Sequence, residues 1–259
     1  MLLGVNIDHI AVLREARKIN DPDPLEAVGI VSRAGADQIT IHLREDRRHI
    51  HDNDVKNIIK SSKIPINLEC SIDPDIIEIV ADLKPHRVTI VPEKRQEVTT
   101  EGGLDLESNY EALDNVIHFL KAKEIEVSLF IDPTIKAIRG SRGLGVEWVE
   151  LHTGTYANIY AMLFSNLKYT HHSIEKLQTS TRELKKMLKK SLKDIQNAAN
   201  EANEFDLKVA AGHGLNYQNV KEIVKMEHIS ELNIGQSIIA RSVFVGLESA
   251  IKEMISIIR

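Results

Sequence analysis

The chain has 259 residues, of which 42% are hydrophobic and 27% are charged. This composition is that of an ordinary globular protein and excludes an intrinsically disordered chain. A formal net charge of −5 gives no general attraction to nucleic acid or to an anionic membrane. No apolar run approaches the ~20 residues of a membrane span. The single cysteine, Cys70, cannot form an internal disulfide, so we expect a cytoplasmic protein with no nucleic-acid or membrane partner.

Short apolar, β-branched runs alternate along the chain with segments of helical spacing, which is the pattern of parallel βα units. Eight runs predict strands: Leu2–Ile7, Gln38–Leu43, Ile64–Cys70, Arg87–Val91, Glu126–Ile131, Glu147–His152, Leu207–Gly212 and Glu231–Gly235. Helix starts are predicted at Asp23-Pro24, Asp73-Pro74 and Asp132-Pro133, where aspartate would cap a helix that begins with proline. Eight strands favour a closed barrel over a doubly wound sheet. The predicted fold class is α/β, a single (β/α)₈ TIM barrel over residues 1–259.

The stretch from Tyr156 to Phe205 is too long for one ordinary crossover helix. We therefore expect an extra helical segment between strands 6 and 7. Within it, Arg182–Asp194 has apolar residues at helical spacing on one face and lysines on the other. A solvated helix face explains these lysines better than nucleic-acid binding does.

Polar side chains cluster at the carboxyl ends of the predicted strands. Alternate side chains along a barrel strand point into the barrel, so a period of two identifies the inward ones. They are Asn6 and Asp8, then Thr40, His42 and Arg44, then Asn67 and Glu69, then Glu150 and His152, then His213, and finally Asn233 with Gly235. Barrel enzymes place their active sites at this end. Any single one of these groups is explained equally well by a buried hydrogen-bond network, but their shared position predicts a site, with Asp132 interpreted instead as a helix cap.

Four further segments have the composition of anion sites or mobile loops. The turns Ala211–Gly214 and Asn233–Ser237 contain glycines that would let backbone amides approach a phosphate, although a tight turn alone also requires glycine. The segment Arg44–His49 holds three arginines and a histidine, for which phosphate binding and surface ion pairs are alternatives. The polar segment Pro92–Gly103 is either a lid or an inert loop.

Several chemistries are disfavoured by the residues present. No lysine lies at an inward strand end, which argues against a lysine imine. The glycines of Gly140–Gly145 are in the wrong order for a dinucleotide loop, and Cys70 has the phase of a packed thiol. The inward histidines and carboxylates lack compact metal-ligand spacing, so a metal is the minor alternative.

These residues together resemble the pyridoxine 5′-phosphate synthase family. The matching motifs span nearly the whole chain in the family's order. They are Gly4–Ile10, Ile41–Ile50, Val91–Gly103, Val127–Asp132, Glu150–Gly154, Ala211–Gly214 and Glu231–Gly235. The resemblance implies a barrel that condenses 1-deoxy-D-xylulose 5-phosphate with 3-amino-2-oxopropyl phosphate, releasing inorganic phosphate and water. It also implies that no redox cofactor is needed, that the partners are two small phosphorylated substrates, and that the chain forms a homo-oligomer, commonly an octamer.

The resemblance also implies roles for individual residues. His42 and Glu69 match the family's proton acceptors, His213 its proton donor, and Glu150 its transition-state stabiliser. The residues that match contacts to deoxyxylulose phosphate are Asp8, His9, Arg44, His49 and Thr99. Those that match contacts to the amino ketone phosphate are Asn6, Arg17, Gly214, Gly235 and Gln236.

The chain departs from the resemblance at two places. Many family members have histidine where this chain has Gln236, and the segment after Tyr156 is longer than usual. Two rival functions remain at this stage: an isomerase of a phosphorylated sugar that uses Glu69 and His213 as base and acid, and a noncatalytic barrel that binds phosphorylated metabolites.

Overall fold

The computed structural model describes residues 1–93 and 102–259, and eight parallel strands in these ranges close into a barrel. The strands are β1 Leu2–Asn6, β2 Gln38–His42, β3 Ile66–Cys70, β4 Arg87–Ile90, β5 Glu126–Ile131, β6 Trp148–His152, β7 Lys208–Gly212 and β8 Glu231–Ile234. They pair in chain order, and β8 pairs with β1 to complete the ring. The predicted barrel is confirmed, with strand ends that differ from the predicted ones by at most two residues.

Helices connect the strands around the outside of the barrel. They are α1 Asp8–Arg17, α2 Pro24–Ala34, α3 Asp52–Ser61, α4 Pro74–Leu83, α5 Tyr110–Ala122, α6 Ile135–Gly143, α7 Gly154–Phe164, α8 Thr181–Glu204, α9 Val220–Val224, α10 Gln236–Val245 and α11 Leu247–Ile258. Two short 3₁₀ helices, Leu167–Tyr169 and Glu175–Leu177, lie between α7 and α8. In the described ranges, no helix combines the length and the apolar character needed to cross a bilayer.

The main apolar core lies between the strands and the helices. Outward-facing strand residues such as Val5, Ile41 and Leu68 are completely buried in it. Their alternation with inward-facing polar residues is the period of two that the sequence shows. Because the apolar side chains are buried between the strands and the helices, the barrel interior can hold polar groups where the strands end.

Two of the three predicted aspartate caps are confirmed. The side chain of Asp23 accepts a hydrogen bond from Leu25 N at 2.9 Å, and that of Asp73 accepts one from Asp75 N at 3.1 Å. The predicted cap at Asp132 is wrong. Helix α6 begins at Ile135 and is capped by Thr134, because the Asp132 carboxylate is engaged by another element.

The extra helical segment between strands 6 and 7 is confirmed. Helix α8 is 24 residues long, and its Leu184 packs with Ile159 and Met162 of α7 in a second apolar cluster. The apolar face predicted from the spacing in Arg182–Asp194 is the one that packs here.

The amino-terminal end of the barrel interior holds a buried ion pair that sequence analysis did not predict. Arg87 on β4 pairs with Glu231 on β8, and the two side chains retain 4% and 5% exposure. The guanidinium also donates to Gln38 Oε1 at 2.9 Å and stacks over the ring of Trp148 at 4.2 Å. The floor of the barrel is therefore a polar layer centred on a buried, hydrogen-bonded ion pair.

Candidate active site

The carboxyl ends of β1, β2 and β3 bring His42, Glu69 and Asp8 together. His42 Nδ1 lies 3.8 Å from Glu69 Oε2, and Asp8 Oδ1 accepts a hydrogen bond from His42 N at 2.9 Å. Asn6 Nδ2 donates to the other Asp8 oxygen at 3.0 Å. Strands β2 and β3 pair with His42 directly opposite Glu69, which is why the predicted inward phase brings the two side chains together.

Glu93 also belongs to this cluster, although sequence analysis assigned it only to a loop. Its Oε1 lies 2.7 Å from His42 Nε2, and its Oε2 accepts a hydrogen bond from Glu45 N at 3.1 Å. Burial alone would raise the pKa of Glu93, but the hydrogen bonds from His42 and the Glu45 amide outweigh it and lower the pKa. Glu93 continues the alternation of Arg87 and Thr89, and this phase was the signal that could have identified it.

The two inward carboxyl groups of β3 and β6 hold protons more tightly than carboxyls do in water. Burial, followed by the charges of Glu150 and Asp8, raises the pKa of Glu69 well above its ordinary value. Burial raises the pKa of Glu150 to about 7 against the opposing effect of its hydrogen bond from Asn233. A carboxyl with the pKa of Glu150 can exchange protons near neutral pH, as general acid–base catalysis requires.

A second imidazole cluster lies across the mouth of the barrel on β6 and β7. The rings of His152 and His213 meet edge to face, with centroids 5.0 Å apart. Burial, assisted by His152, lowers the pKa of His213 to about 4. Asp132 Oδ1 lies 3.2 Å from His152 Nδ1 and also accepts a hydrogen bond from Gly103 N, and both contacts lower the pKa of Asp132. Asp132 thus orients His152 instead of capping α6.

Basic side chains adjoin the first cluster. Arg44 lines a small cavity of about 160 Å³ with Glu45, Asp46 and Glu93. Its Nε is buried and makes no hydrogen bond within the described part of the chain, and Asp46 Oδ1 lies 3.8 Å from it. Buried polar atoms are nearly always paired, so this donor is available to a ligand.

Two histidines near Arg44 contribute further polar atoms. The ring of His49 lies 6.1 Å from that of His42, and burial lowers the pKa of His49. Burial also lowers the pKa of His9, whose Nδ1 is unpartnered among the described residues.

The remaining arginines of this loop form the surface ion pairs that the sequence left as an alternative. Arg47 pairs with Asp52 at 3.0 Å, and Arg48 pairs with Asp46 at 2.6 Å. Their charges are therefore partly compensated within the loop.

The two glycine turns lie where β7 and β8 leave the barrel. His213 and Gly214 have positive φ angles of 76° and 81°, a conformation that Gly214 adopts without strain. Gly235 is the N-cap of α10, which begins at Gln236 and directs free amides and a partial positive charge toward the mouth.

Two predicted site residues are not brought into these clusters. Arg17 is exposed at the end of α1, and Thr99 lies outside the described residues, as does most of the predicted lid. Conversely, sequence analysis missed Arg14, whose Nη2 donates to His49 O at 2.7 Å and to Asp54 at 2.8 Å. Its helical spacing carried no signal for this long-range role.

Solved structures share the fold at low sequence identity. An N-(5′-phosphoribosyl)anthranilate isomerase from Pyrococcus furiosus is 14% identical with a TM-score of 0.60, over 100% of this chain and 98% of that one. A thiamine phosphate pyrophosphorylase from the same organism is 11% identical with a TM-score of 0.60, over 99% and 95%. These similarities support the barrel fold alone.

Sequence comparisons are far more specific. The family model described as "Pyridoxal phosphate biosynthesis protein PdxJ" matches residues 3–259. Proteins named pyridoxine 5′-phosphate synthase are 66% identical in Aliarcobacter butzleri, covering 100% of this chain and 99% of the relative, and 65% identical in Nitratiruptor sp., covering 100% and 97%. A protein of the same name in Sulfurovum sp. is 63% identical over 100% of both chains. The chain therefore belongs to the PdxJ family of pyridoxine 5′-phosphate synthases.

Proposed function

We propose that this protein condenses 1-deoxy-D-xylulose 5-phosphate with 3-amino-2-oxopropyl phosphate to form pyridoxine 5′-phosphate, inorganic phosphate and water. Membership of the family supports the reaction. The observation that carries it is the arrangement of two carboxyls, the buried Glu150 and the partly buried Glu69, with His42 and His213 at one end of a barrel. An isomerase or a binding barrel would leave this number of acid–base groups unexplained.

We assign the acid–base roles by combining family membership with the geometry. His42 and Glu69, 3.8 Å apart, accept protons, while His213 donates one and Glu150 stabilises the transition state. Imine formation, dehydration, loss of phosphate and ring closure each move a proton, so one acid–base group cannot serve every step. A positioned group contributes about 10²–10⁴-fold to such a step.

The two phosphorylated substrates are assigned to opposite sides of the barrel mouth. Asp8 belongs to the first cluster, and His9, Arg44 and His49 lie beside it. With Thr99, these residues are proposed to bind deoxyxylulose phosphate. The buried Nε of Arg44, which makes no hydrogen bond within the described residues, supports this assignment. Binding a phosphate there would satisfy the Arg44 donor and orient the sugar toward the acid–base groups.

The glycine turns are proposed to bind the phosphate of the amino ketone. Gly214 and Gly235 expose backbone amides, and the amino terminus of α10 at Gln236 favours an anion. Asn6 contacts Gly235, at which a Cβ would come within 2.8 Å of Asn6 Cβ. Arg17 is assigned to the same substrate on family grounds alone.

A two-substrate assay tests the proposed function. Purified protein should release pyridoxine 5′-phosphate and inorganic phosphate only when both substrates are present. Glu69→Gln should abolish turnover and leave binding of the phosphorylated substrates largely intact, because it removes a proton acceptor without changing the shape of the side chain. The matched control is Glu78→Gln on α4, an exposed carboxylate on the helix that follows the same strand. Turnover of one substrate alone, or full activity of Glu69→Gln, would contradict the assignment.

We also propose that the chain is a cytoplasmic homo-oligomer, with the octamer of the family as the expected form. Exposed apolar side chains support self-association: Val243 and Phe244 on α10 are 70% and 82% exposed, and Val12 and Leu13 on the contacting helix α1 are 42% and 49% exposed. Light scattering after gel filtration should give the mass of an oligomer, and Phe244→Ser should reduce it. A monomeric wild type would refute the proposal.

A further inference from the structure

Asn233 on β8 is a buried polar residue that the residue pattern placed among the inward strand ends, but to which the family resemblance gave no role of its own. Its side-chain Nδ2 donates to Glu150 Oε2 at 2.7 Å. The residue retains 6% exposure and Glu150 retains 3%. A short hydrogen bond to a buried carboxyl is among the stronger interactions in a protein interior.

The opposite end of the same amide is held by the barrel floor. Asn233 Oδ1 accepts hydrogen bonds from Thr40 Oγ1 at 3.3 Å and from Gln38 Nε2 at 3.4 Å. Gln38 is held in turn, because its Nε2 donates to Glu231 at 3.1 Å and its Oε1 accepts from Arg87 at 2.9 Å. With two donors on its oxygen side, the Asn233 amide must present its nitrogen to the carboxyl above it.

Two glycines make room for this pair of side chains. A Cβ at Gly4 on β1 would overlap Asn233 Oδ1, and a Cβ at Gly212 on β7 would overlap Glu150 Oε1. Gly4 lies inside β1 and Gly212 is the last residue of β7, and glycine in a strand is costly because of its conformational freedom. Neither has a positive φ angle, so glycine is needed at these two positions for the space it leaves and not for its backbone conformation.

We propose that Asn233 is a positioning residue for Glu150: it links the carboxyl to the paired floor of the barrel and fixes which oxygen faces the substrates, and Gly4 and Gly212 are required to seat the pair. The part that Glu150 plays in turnover rests on the proposed function. The positioning itself rests only on hydrogen bonds and steric fit.

The charged groups around Glu150 determine how the contact can be measured. Glu69 on β3 and Glu231 on β8 disfavour its ionisation, while Arg87 on β4 and the Asn233 amide favour it. Removing the amide leaves the three charges in place, so the ratio of ionised to protonated Glu150 at pH 7 should fall about tenfold.

The experiment is a ¹³C NMR titration of protein labelled at the glutamate side-chain carboxyls, with the Glu150 resonance assigned from Glu150→Gln. Asn233→Ala should raise the titration midpoint of Glu150 by about one pH unit. The limb of the kcat/KM pH profile that reports the ionisation of Glu150 should shift by the same amount. Gly4→Ala, which keeps every polar group but displaces Asn233, should shift the same midpoint in the same direction. If Asn233→Ala does not fold, Gly4→Ala alone tests whether Asn233 positions Glu150.

The matched control is Thr89→Val, which removes a buried hydrogen bond of 2.8 Å to Asn67 in the same barrel interior without touching the Asn233–Glu150 pair. It should lower thermal stability and leave the Glu150 midpoint unchanged. A folded Asn233→Ala or Gly4→Ala protein with an unaltered midpoint would overturn the inference. Failure of the wild type to make pyridoxine 5′-phosphate would contradict the proposed function alone, because the titration uses no substrate.

Discussion

Replacing Glu150 by glutamine should make the protein more stable at alkaline pH while removing its activity. The carboxyl is buried to 3% exposure and its pKa is raised to about 7 by burial. Glutamine has the same shape as protonated glutamate and can still accept the hydrogen bond from Asn233. It stays neutral at every pH, so it avoids the cost of a buried negative charge.

The size and sign of the effect follow from the pKa shift. An acid whose pKa is higher in the folded chain than in the unfolded chain contributes stability below pH 4.5 and loses it as the pH rises through about 7. A rise from 4.5 to about 7 corresponds to about 3 kcal/mol of unfolding free energy. Glu150→Gln should therefore match the wild type near pH 4.5 and exceed it by up to about 3 kcal/mol at pH 8. Glu69 adds to the difference in the same direction, because the charge on Glu150 helps to raise its pKa.

Urea denaturation of both proteins between pH 4.5 and 8 measures this difference. Comparing the variant with the wild type cancels the contributions that other titrating groups make to stability. One of these is His213, whose lowered pKa makes stability rise with pH between about pH 4 and 6.5, opposite to the effect of Glu150. Glu175→Gln, at an exposed glutamate, is the control and should change stability by less than about 0.5 kcal/mol. A Glu150→Gln protein that is less stable than the wild type at pH 8, or a difference independent of pH, would refute the reasoning.

Three further expectations follow from the same structure. Arg87→Met should destabilise the protein by about 3–5 kcal/mol because it leaves the buried Glu231 carboxylate without its counter-ion, whereas adding Glu231→Leu should recover much of that loss in a double-mutant cycle; an equal loss in the single and the double variant would show that the pairing is unimportant. Gly154→Ala should reduce activity at least tenfold with a smaller effect on stability, since the new Cβ would overlap His152 Nε2 and lie 3.0 Å from His213 Cδ2; unchanged kinetics would contradict this steric account. Dialysis against EDTA should leave synthase activity intact, and a loss restored by one divalent cation would reveal a metal role.

The EDTA expectation depends on how the first cluster uses its polar atoms. Asp8, His42 and Glu69 offer ligand atoms within 4.8 Å of one another, which is a spacing that a cation could use. However, both Asp8 oxygens accept hydrogen bonds and His42 Nε2 is engaged by Glu93 at 2.7 Å. A cation would have to displace these contacts, whereas acid–base chemistry uses them as they are.

The part of the site that lies on the strands was predictable because strand geometry is local. A period of two places His42, Glu69 and Glu150 inside the barrel whatever the rest of the chain does, and the pairing of β2 with β3 sets Glu69 opposite His42. Glu93 continues the inward phase of β4 but lies beyond the end of that strand, so a prediction limited to strand residues does not include it. Its bond to His42 joins residues 51 apart in sequence.

The remaining misses involve partners that local patterns do not specify. The Asp132-Pro133 pair has the local signal of a helix start, but His152, 20 residues away, engages the carboxylate. Likewise, Arg87 and Glu231 are 144 residues apart, and only closure of the barrel brings them together. Local signals predict which groups are available for bonding, whereas the tertiary fold decides which of them meet.

Burial reverses the usual order in which an imidazole and a carboxyl lose their protons at this site. Their ordinary pKa values are 6.5 and 4.5, whereas in the barrel His213 has a pKa of about 4 and Glu150 one of about 7. In the resting protein at pH 6, His213 is therefore the neutral group and Glu150 carries the proton. If His213 is the proton donor of the reaction, it must first take up a proton, either during an earlier step or because a bound phosphate raises its pKa. A phosphate dianion bound at the Gly214 turn, directly after His213, would favour the protonated imidazole and so couple formation of the acid to substrate binding.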